Sequence, residues 1–154
     1  MREEDLQKYL DEVGVRAEIL RLKTKVKTVS QAASALGVNR DKIIKTIMFV
    51  DSSENPILAV VSGGDRIDLD RLAKVVGSSV RMATPDEVKE HTGYAVGGLP
   101  PVGHKKPIRT IVDPKVLRKS QVYGGGGSDS SLLKISPQDI VRLQNAEVKS
   151  VVEG

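Results

Sequence analysis

Three stretches of the sequence carry residue types that could do chemistry. The first is Lys45, set in Ile43-Ile44-Lys45-Thr46-Ile47-Met48-Phe49. A lysine inside a strongly apolar strand has its backbone held rigidly, and its ammonium offers a point charge and three donors to an anion or a carbonyl. Burying that charge without a partner is expensive, so the position implies a ligand-facing cleft or the solvent side of a half-exposed strand. The second is Gly97-Gly98-Leu99-Pro100-Pro101-Val102-Gly103. Glycines let backbone amides approach a ligand closely, and prolines stiffen the chain around them. Rigid amides aimed at a developing oxyanion stabilise acyl-transfer transition states, although a tight structural crossover would use the same residues. The third is Gly124 to Gly127, followed by Ser128 and Asp129. It lacks the Gly-Lys-Ser/Thr of a P-loop and the spacing of a dinucleotide fingerprint, which disfavours a nucleotide hydrolase. A flexible hairpin connection has the same composition.

Other chemistries fail on residue supply. There is no cysteine, which excludes a disulfide scaffold, a zinc ribbon and a thiol nucleophile. His91 and His104 are the only histidines, a poor metal set, so no metal and no cofactor are expected. His91 falls near a predicted helix C-terminus, where a dipole contact accounts for it. His104 lies beside the Pro-Gly loop and is the better site candidate. No serine sits in Gly-x-Ser-x-Gly.

The elements that must position these residues follow from periodicity and punctuation. Leu6, Leu10 and Val13 have helical spacing, with Gly14 as the stop. Ala17 to Leu22 reads as extended. Thr28 to Gln31 reads as a capping box opening a helix that ends at Gly37. Ile43 to Val50 and Ile57 to Val61 read as buried strands of a hairpin. A helix over 68–76 carries Leu69, Leu72 and Val76 on one face, and a short strand follows at 79–82. Thr84-Pro85-Asp86-Glu87 starts another helix. The stretch from Gly93 to Pro107 is too rich in glycine and proline for a helix interior or a central strand. Strands are expected at 109–112, 131–135 and 148–152, one helical turn at 114–119, and a last helix from Ser136 to about Leu143. Without regular βαβ spacing, this order argues for an α+β fold with a mixed, largely antiparallel sheet.

The chain has 154 residues, 39% hydrophobic and 29% charged, an ordinary balance for one globular domain spanning 1–154. Net charge is +4, which favours a polyanionic partner through phosphate contacts, though a solvated lysine-rich surface gives the same figure. Basic residues cluster at Arg21, Lys23, Lys25 and Lys27, and again at His104, Lys105, Lys106 and Arg109. Interleaved aromatics are absent, so single-strand stacking is not signalled. The charged N-terminal residues do not read as a signal peptide, and no apolar run approaches the ~18 residues needed to span a bilayer. No membrane partner and a cytoplasmic location are expected.

Taken in order, the motifs resemble a known family. Ala-x-x-Leu-Gly-Val followed by Ile-x-Lys-Thr, across Ala33 to Thr46, resembles the opening motif of the YbaK/ProX family, the freestanding relatives of the prolyl-tRNA synthetase editing domain. Gly93 to Gly103 is similar to that family's Gly-Tyr-x-x-Gly-Gly-x-x-Pro-φ-Gly loop, with φ apolar. Val122 to Gly127 resembles its third signature. The resemblance spans about Thr28 to Leu143 and implies a compact α+β domain around a mixed, barrel-like sheet with surrounding helices. It implies hydrolysis of the ester between an amino acid and the terminal ribose of tRNA. Lys45 matches the family's active-site lysine, and Gly97, Gly98 and Pro101 fall in its Gly-x-x-x-Pro loop. Gly125, Gly126 and Gly127 match the glycines that line its pocket, and Thr28 matches a pocket-edge threonine. Gly103, His104 and Asp129 complete the expected substrate-binding set. Val102 stands where relatives often carry a larger residue, and the third motif has glycines where they often have alanines, which predicts a wider pocket. The expected activity is therefore trans-editing of mischarged aminoacyl-tRNA, with tRNA as partner and a synthetase as a second candidate. A catalytically silent tRNA- or synthetase-binding module is the alternative, and a hydrolase of some other acyl ester is a third reading.

Overall fold

The computed structural model describes all residues from Met1 to Gly154. Its helices are α1 (Glu3–Val13), α2 (Val29–Leu36), α3 (Leu69–Val76), α4 (Pro85–Thr92) and α5 (Pro137–Gln144). Its strands are β1 (Glu18–Arg21), β2 (Ile44–Asp51), β3 (Pro56–Ser62), β4 (Val80–Met82), β5 (Arg109–Val112), β6 (Val122–Gly125), β7 (Ser131–Ile135) and β8 (Glu147–Val148). Short 3-10 turns lie at Arg40–Lys42, Val96–Gly98 and Pro114–Arg118. No helix is long and apolar enough to cross a membrane.

The fold is α+β with a mixed sheet, as expected. One sheet runs β4-β2-β3-β5-β8 and the other β1-β7-β6. β3 pairs with β5, and β5 with β8, in parallel; every other strand pair is antiparallel. The sheets do not close into one barrel. A single isolated parallel bridge, Ile43 to Tyr123, joins them just before β2 begins. That junction brings the start of β2 beside the glycine strand β6.

The β2–β3 hairpin is apolar on both faces because both are covered. Ile44, Met48, Val50, Leu58 and Val60 enter the main core with Leu6 and Leu10 of α1, Leu133 of β7 and Ile140 of α5. Phe49, Ile57, Ala59 and Val61 face a second core closed by Leu72 of α3 and by Val151 and Val152. Helix ends follow local chemistry. Asp68 caps α3 by accepting from the Asp70 and Arg71 N–H groups. Thr84 and Glu87 form a reciprocal box at the start of α4.

Four expectations are corrected. Gln31 does not complete a box with Thr28, because its Oε1 accepts from the Lys27 N–H at 2.8 Å, one residue earlier. Leu69 is 51% exposed, since the second core is covered by Leu72, Val75 and Val76 and ends a turn short of it. Only the second half of the glycine cluster is a hairpin connection: Gly126 and Gly127 lie between β6 and β7, whereas Gly124 and Gly125 lie in β6 itself, paired with Leu133 and Leu132. The final strand is only Glu147–Val148; Val152 instead forms an isolated bridge with Ile67, and Val151 is buried in the second core.

Leu6 is fully buried in the main core, with its side chain against the loop at Gly103. Leu6→Ala is expected to destabilise the fold by ~2–5 kcal/mol, read as a lowered denaturation midpoint at unchanged slope.

Candidate active site

At the junction of the two sheets a cleft of about 420 Å³ opens. Its walls are the segment Val26–Val29 with Ala32 of α2, the residues Ile43–Thr46 entering β2, the turn at Val96–Leu99, Gly124 and Gly125 of β6, and Asp129 with Leu132. Half of this lining is aliphatic, so the cleft presents a few polar groups on an apolar ground.

Three of those groups have no partner within the chain. Lys45 is half-buried in the strand and its ammonium makes no hydrogen bond or ion pair. Burial holds its pKa below the ordinary lysine value; Asp65 opposes that shift and Arg66 adds to it. The Thr46 hydroxyl is buried without a hydrogen-bond partner, which costs free energy unless something else satisfies it. Gly97 is exposed at the lip, and its N–H has no acceptor in the chain. Thr28 is positioned by capping α2, its Oγ1 accepting from the Gln31 N–H at 3.0 Å. Asp129 faces the cleft near Lys25, whose Nζ lies 3.6 Å from Oδ2.

The lip is rigid because the loop carrying it is strapped at several points. The Lys105 N–H donates to Thr92 O at 2.9 Å and closes the loop base. Buried Tyr94 donates its hydroxyl to Gly103 O at 3.2 Å. His104 Nε2 lies 2.7 Å from Pro100 O, and its ring meets Tyr94 edge-on at 6.5 Å. Desolvation pushes the imidazole down to about 4, against the opposing effect of the Pro100 carbonyl. The ring is therefore neutral at pH 7 and donates from Nε2. The loop also lies directly on the glycine segment. The Gly127 N–H donates to Gly98 O at 2.9 Å. A Cβ on Gly98 would stand 2.6 Å from Ser128 N, and one on Gly125 would strike the Leu99 carbonyl.

The structure thus brings Lys45, Gly97, Thr28, Gly125 and Asp129 to one cleft. Gly98 and Gly127 line an adjoining opening that shares Gly97 and Asp129 with it. Pro101 is buried behind the wall, where its ring backs Gly124. Gly126 is buried against the backbone of Ser131 and Leu132. Gly103 and His104 are not in the cleft; they line a separate depression with Tyr9 and Gln144, because the chain turns away at Gly103 with φ +80°. Val102 is fully buried in the main core, so its small size does not widen the cleft. Sequence reasoning missed Thr46 as a site residue, although it directly follows Lys45. It also missed Glu3, whose backbone N would lie 2.7 Å from a Cβ on Gly127 and which backs the glycine loop from α1. No group of three or more side chains gathers with metal-ligand potential.

This arrangement of a lysine strand, a strapped Gly-Pro loop and a glycine strand defines a class. Residues 23–143 match the family of the aminoacyl-tRNA editing domain, and the chain belongs to that family. It is similar to the Enterococcus faecalis protein named "Putative Cys-tRNA(Pro)/Cys-tRNA(Cys) deacylase EbsC", 28% identical over 80% of this chain and 76% of that one. It is 33% identical to part of the proline–tRNA ligase of Maridesulfovibrio salexigens, covering 82% of this chain and 22% of the ligase. Among solved structures it is similar to one described as "a putative trans-editing enzyme for prolyl tRNA synthetase", with a TM-score of 0.92, 34% identity, and 99% and 97% of the two chains covered.

Two outcomes follow from the loop. Gly98→Ala forces backbone apart and is expected to cost ~1–3 kcal/mol, whereas Gly97→Ala meets only Asp129 Cβ at 3.5 Å and should melt like the parent. Thermal melts of the pair check this. His104 titrates near 4 when folded and near an ordinary ~6.5 when unfolded, so the unfolded chain takes up the proton first. Stability is fully present above ~6.5 and is lost as pH falls toward 4. His104→Gln is expected to be less stable at pH 7 but to show a flatter stability profile between pH 6.5 and 5.

Proposed function

We propose that this chain hydrolyses the ester linking a mischarged amino acid to the terminal ribose of tRNA. The observation that carries the reading is the cleft itself, which an unpaired ammonium and an open backbone N–H line on an apolar ground, in a member of an editing family. The aliphatic wall suits an amino-acid side chain, and the Gly97 N–H on the rigid lip suits the ester carbonyl. Lys45 supplies positive charge where negative charge develops or where the adjoining phosphate lies.

An ester makes modest demands, because a ribose alkoxide is a far better leaving group than the nitrogen anion that unassisted amide cleavage would expel. Water adds through oxygen to the carbonyl carbon, the tetrahedral oxyanion forms against preorganised donors, the bond to the ribose oxygen breaks, and that oxygen takes the proton that water gives up. Positioning and oxyanion stabilisation supply the rate without a protein nucleophile. Exposed Lys25 and Lys27 at the cleft edge suit a polyanionic tRNA. The likeness to part of proline–tRNA ligases makes that synthetase the second candidate partner. Translation-linked chemistry of this kind belongs in the cytoplasm.

The test is Lys45. Lys45→Ala should lower single-turnover deacylation by ~100-fold or more while melting like the parent, since a half-buried charge is a liability to the fold. Lys45→Arg should recover part of the rate by restoring the charge. Parental rates in Lys45→Ala would remove the lysine from the site.

A further inference from the structure

A second opening, of about 460 Å³, has no apolar residue in its lining. It lies between the turn at Arg40–Lys42, the exit of β3 at Ser62 to Asp65, and the turn at Pro114–Arg118. Four cations face it, Arg40, Lys115, Arg118 and Lys119, against the carboxylates of Asp41 and Asp65. The lysines are engaged: Lys119 Nζ lies 2.7 Å from Asp41 Oδ2, and Lys115 Nζ 3.6 Å from Asp65 Oδ2. The side chains of Arg40 and Arg118 have neither an ion pair nor a hydrogen bond within the chain, and both residues are exposed. The lysines and carboxylates of the floor balance, so the two unengaged guanidiniums carry the opening's net positive charge; they are suited to a phosphate, which they can grip bidentately.

Position links this opening to the Lys45 cleft. The Arg40–Lys42 turn runs directly into β2, and Ser62 pairs with Ile44, the neighbour of Lys45. Asp65, in the lining, is close enough to Lys45 to act on its charge. The two openings therefore lie near one another at the entry to β2, which suits an extended polyanion whose end occupies one of them. An acidic peptide would also be drawn to the two arginine forks, which match carboxylates as well as phosphates, but the absence of any apolar lining to hold its side chains favours phosphodiesters over a peptide.

We infer that this polar cleft holds a backbone phosphate of the tRNA acceptor arm, with Arg40 and Arg118 as its ligands, while the aminoacyl end lies at Lys45. The inference rests on the deacylase reading for the identity of the polyanion, but its test does not use hydrolysis. Binding of uncharged tRNA is measured by fluorescence anisotropy across a salt series for the parent, for Arg40→Gln/Arg118→Gln and for Lys8→Gln/Lys74→Gln, which removes the same charge from two exposed helix positions elsewhere. The arginine double variant should bind at least ~10-fold more weakly. Its dependence of log affinity on log salt should fall by roughly 0.7–0.9, the share of the one phosphate no longer neutralised. The lysine control should stay near the parent. Arg118→Gln alone, expected to weaken binding by less than the double variant, guards against a folding defect in the double variant. Parental affinity and slope in the arginine variant, an equal weakening in the lysine control, or a parent that does not bind tRNA would each overturn the inference. A parent that binds tRNA yet leaves every ester intact would count against the deacylase reading alone.

Discussion

The hydrogen bond from the Gly127 N–H to the Gly98 carbonyl, 2.9 Å long, holds two loops together with no side chain between them. Everything at the cleft depends on that contact. A Cβ on Gly98 or on Gly125 would push into the opposite backbone, so the two segments can touch only as glycines. Gly127 completes the contact at φ +107°, with α1 pressed behind it at Arg2 and Glu3. The closeness fixes where the exposed Gly97 N–H stands relative to β2 and Lys45. Backbone packing thus fixes the place of the Gly97 N–H in advance, which the oxyanion role proposed for it requires.

The second determinant is electrostatic. β2 delivers Lys45 at the end of a hairpin covered on both faces, where burial lowers its affinity for a proton and Asp65 restores part of it. Thr46 brings a hydroxyl that the chain leaves without a partner. Native proteins satisfy most buried polar groups, so one left open is an exception that needs a physical reason. The neighbouring His104 shows the opposite treatment. It is neutral, bonded to Pro100 and turned away from the cleft, so its contribution is to hold the loop.

Much of this is legible in local signals. The β-branched runs of β2 and β3, the Thr84 box and the glycine stops at Gly14, Gly37 and Gly77 each report on their own neighbours, and the structure has these elements where the pattern places them. Lys45 and the Gly97–Pro101 loop stand out because their residue types are unusual in their surroundings. Non-local features are hidden. Gly124 and Gly125 read as a turn because nothing nearby announces that Leu99 will lie across them. His104 looks like a site residue by adjacency, yet the positive φ at Gly103 sends it to another face. Thr46 reads as an ordinary strand threonine until its hydroxyl is found buried and unpartnered.

The most direct measurement follows the parent protein with a panel of tRNAs, each carrying a different labelled amino acid, and records the ester remaining over time. At least one noncognate ester, on a tRNA the protein binds, is expected to disappear well faster than it does spontaneously. Decay of every ester at its spontaneous rate, with tRNA bound throughout, would contradict it and leave a binding module in its place.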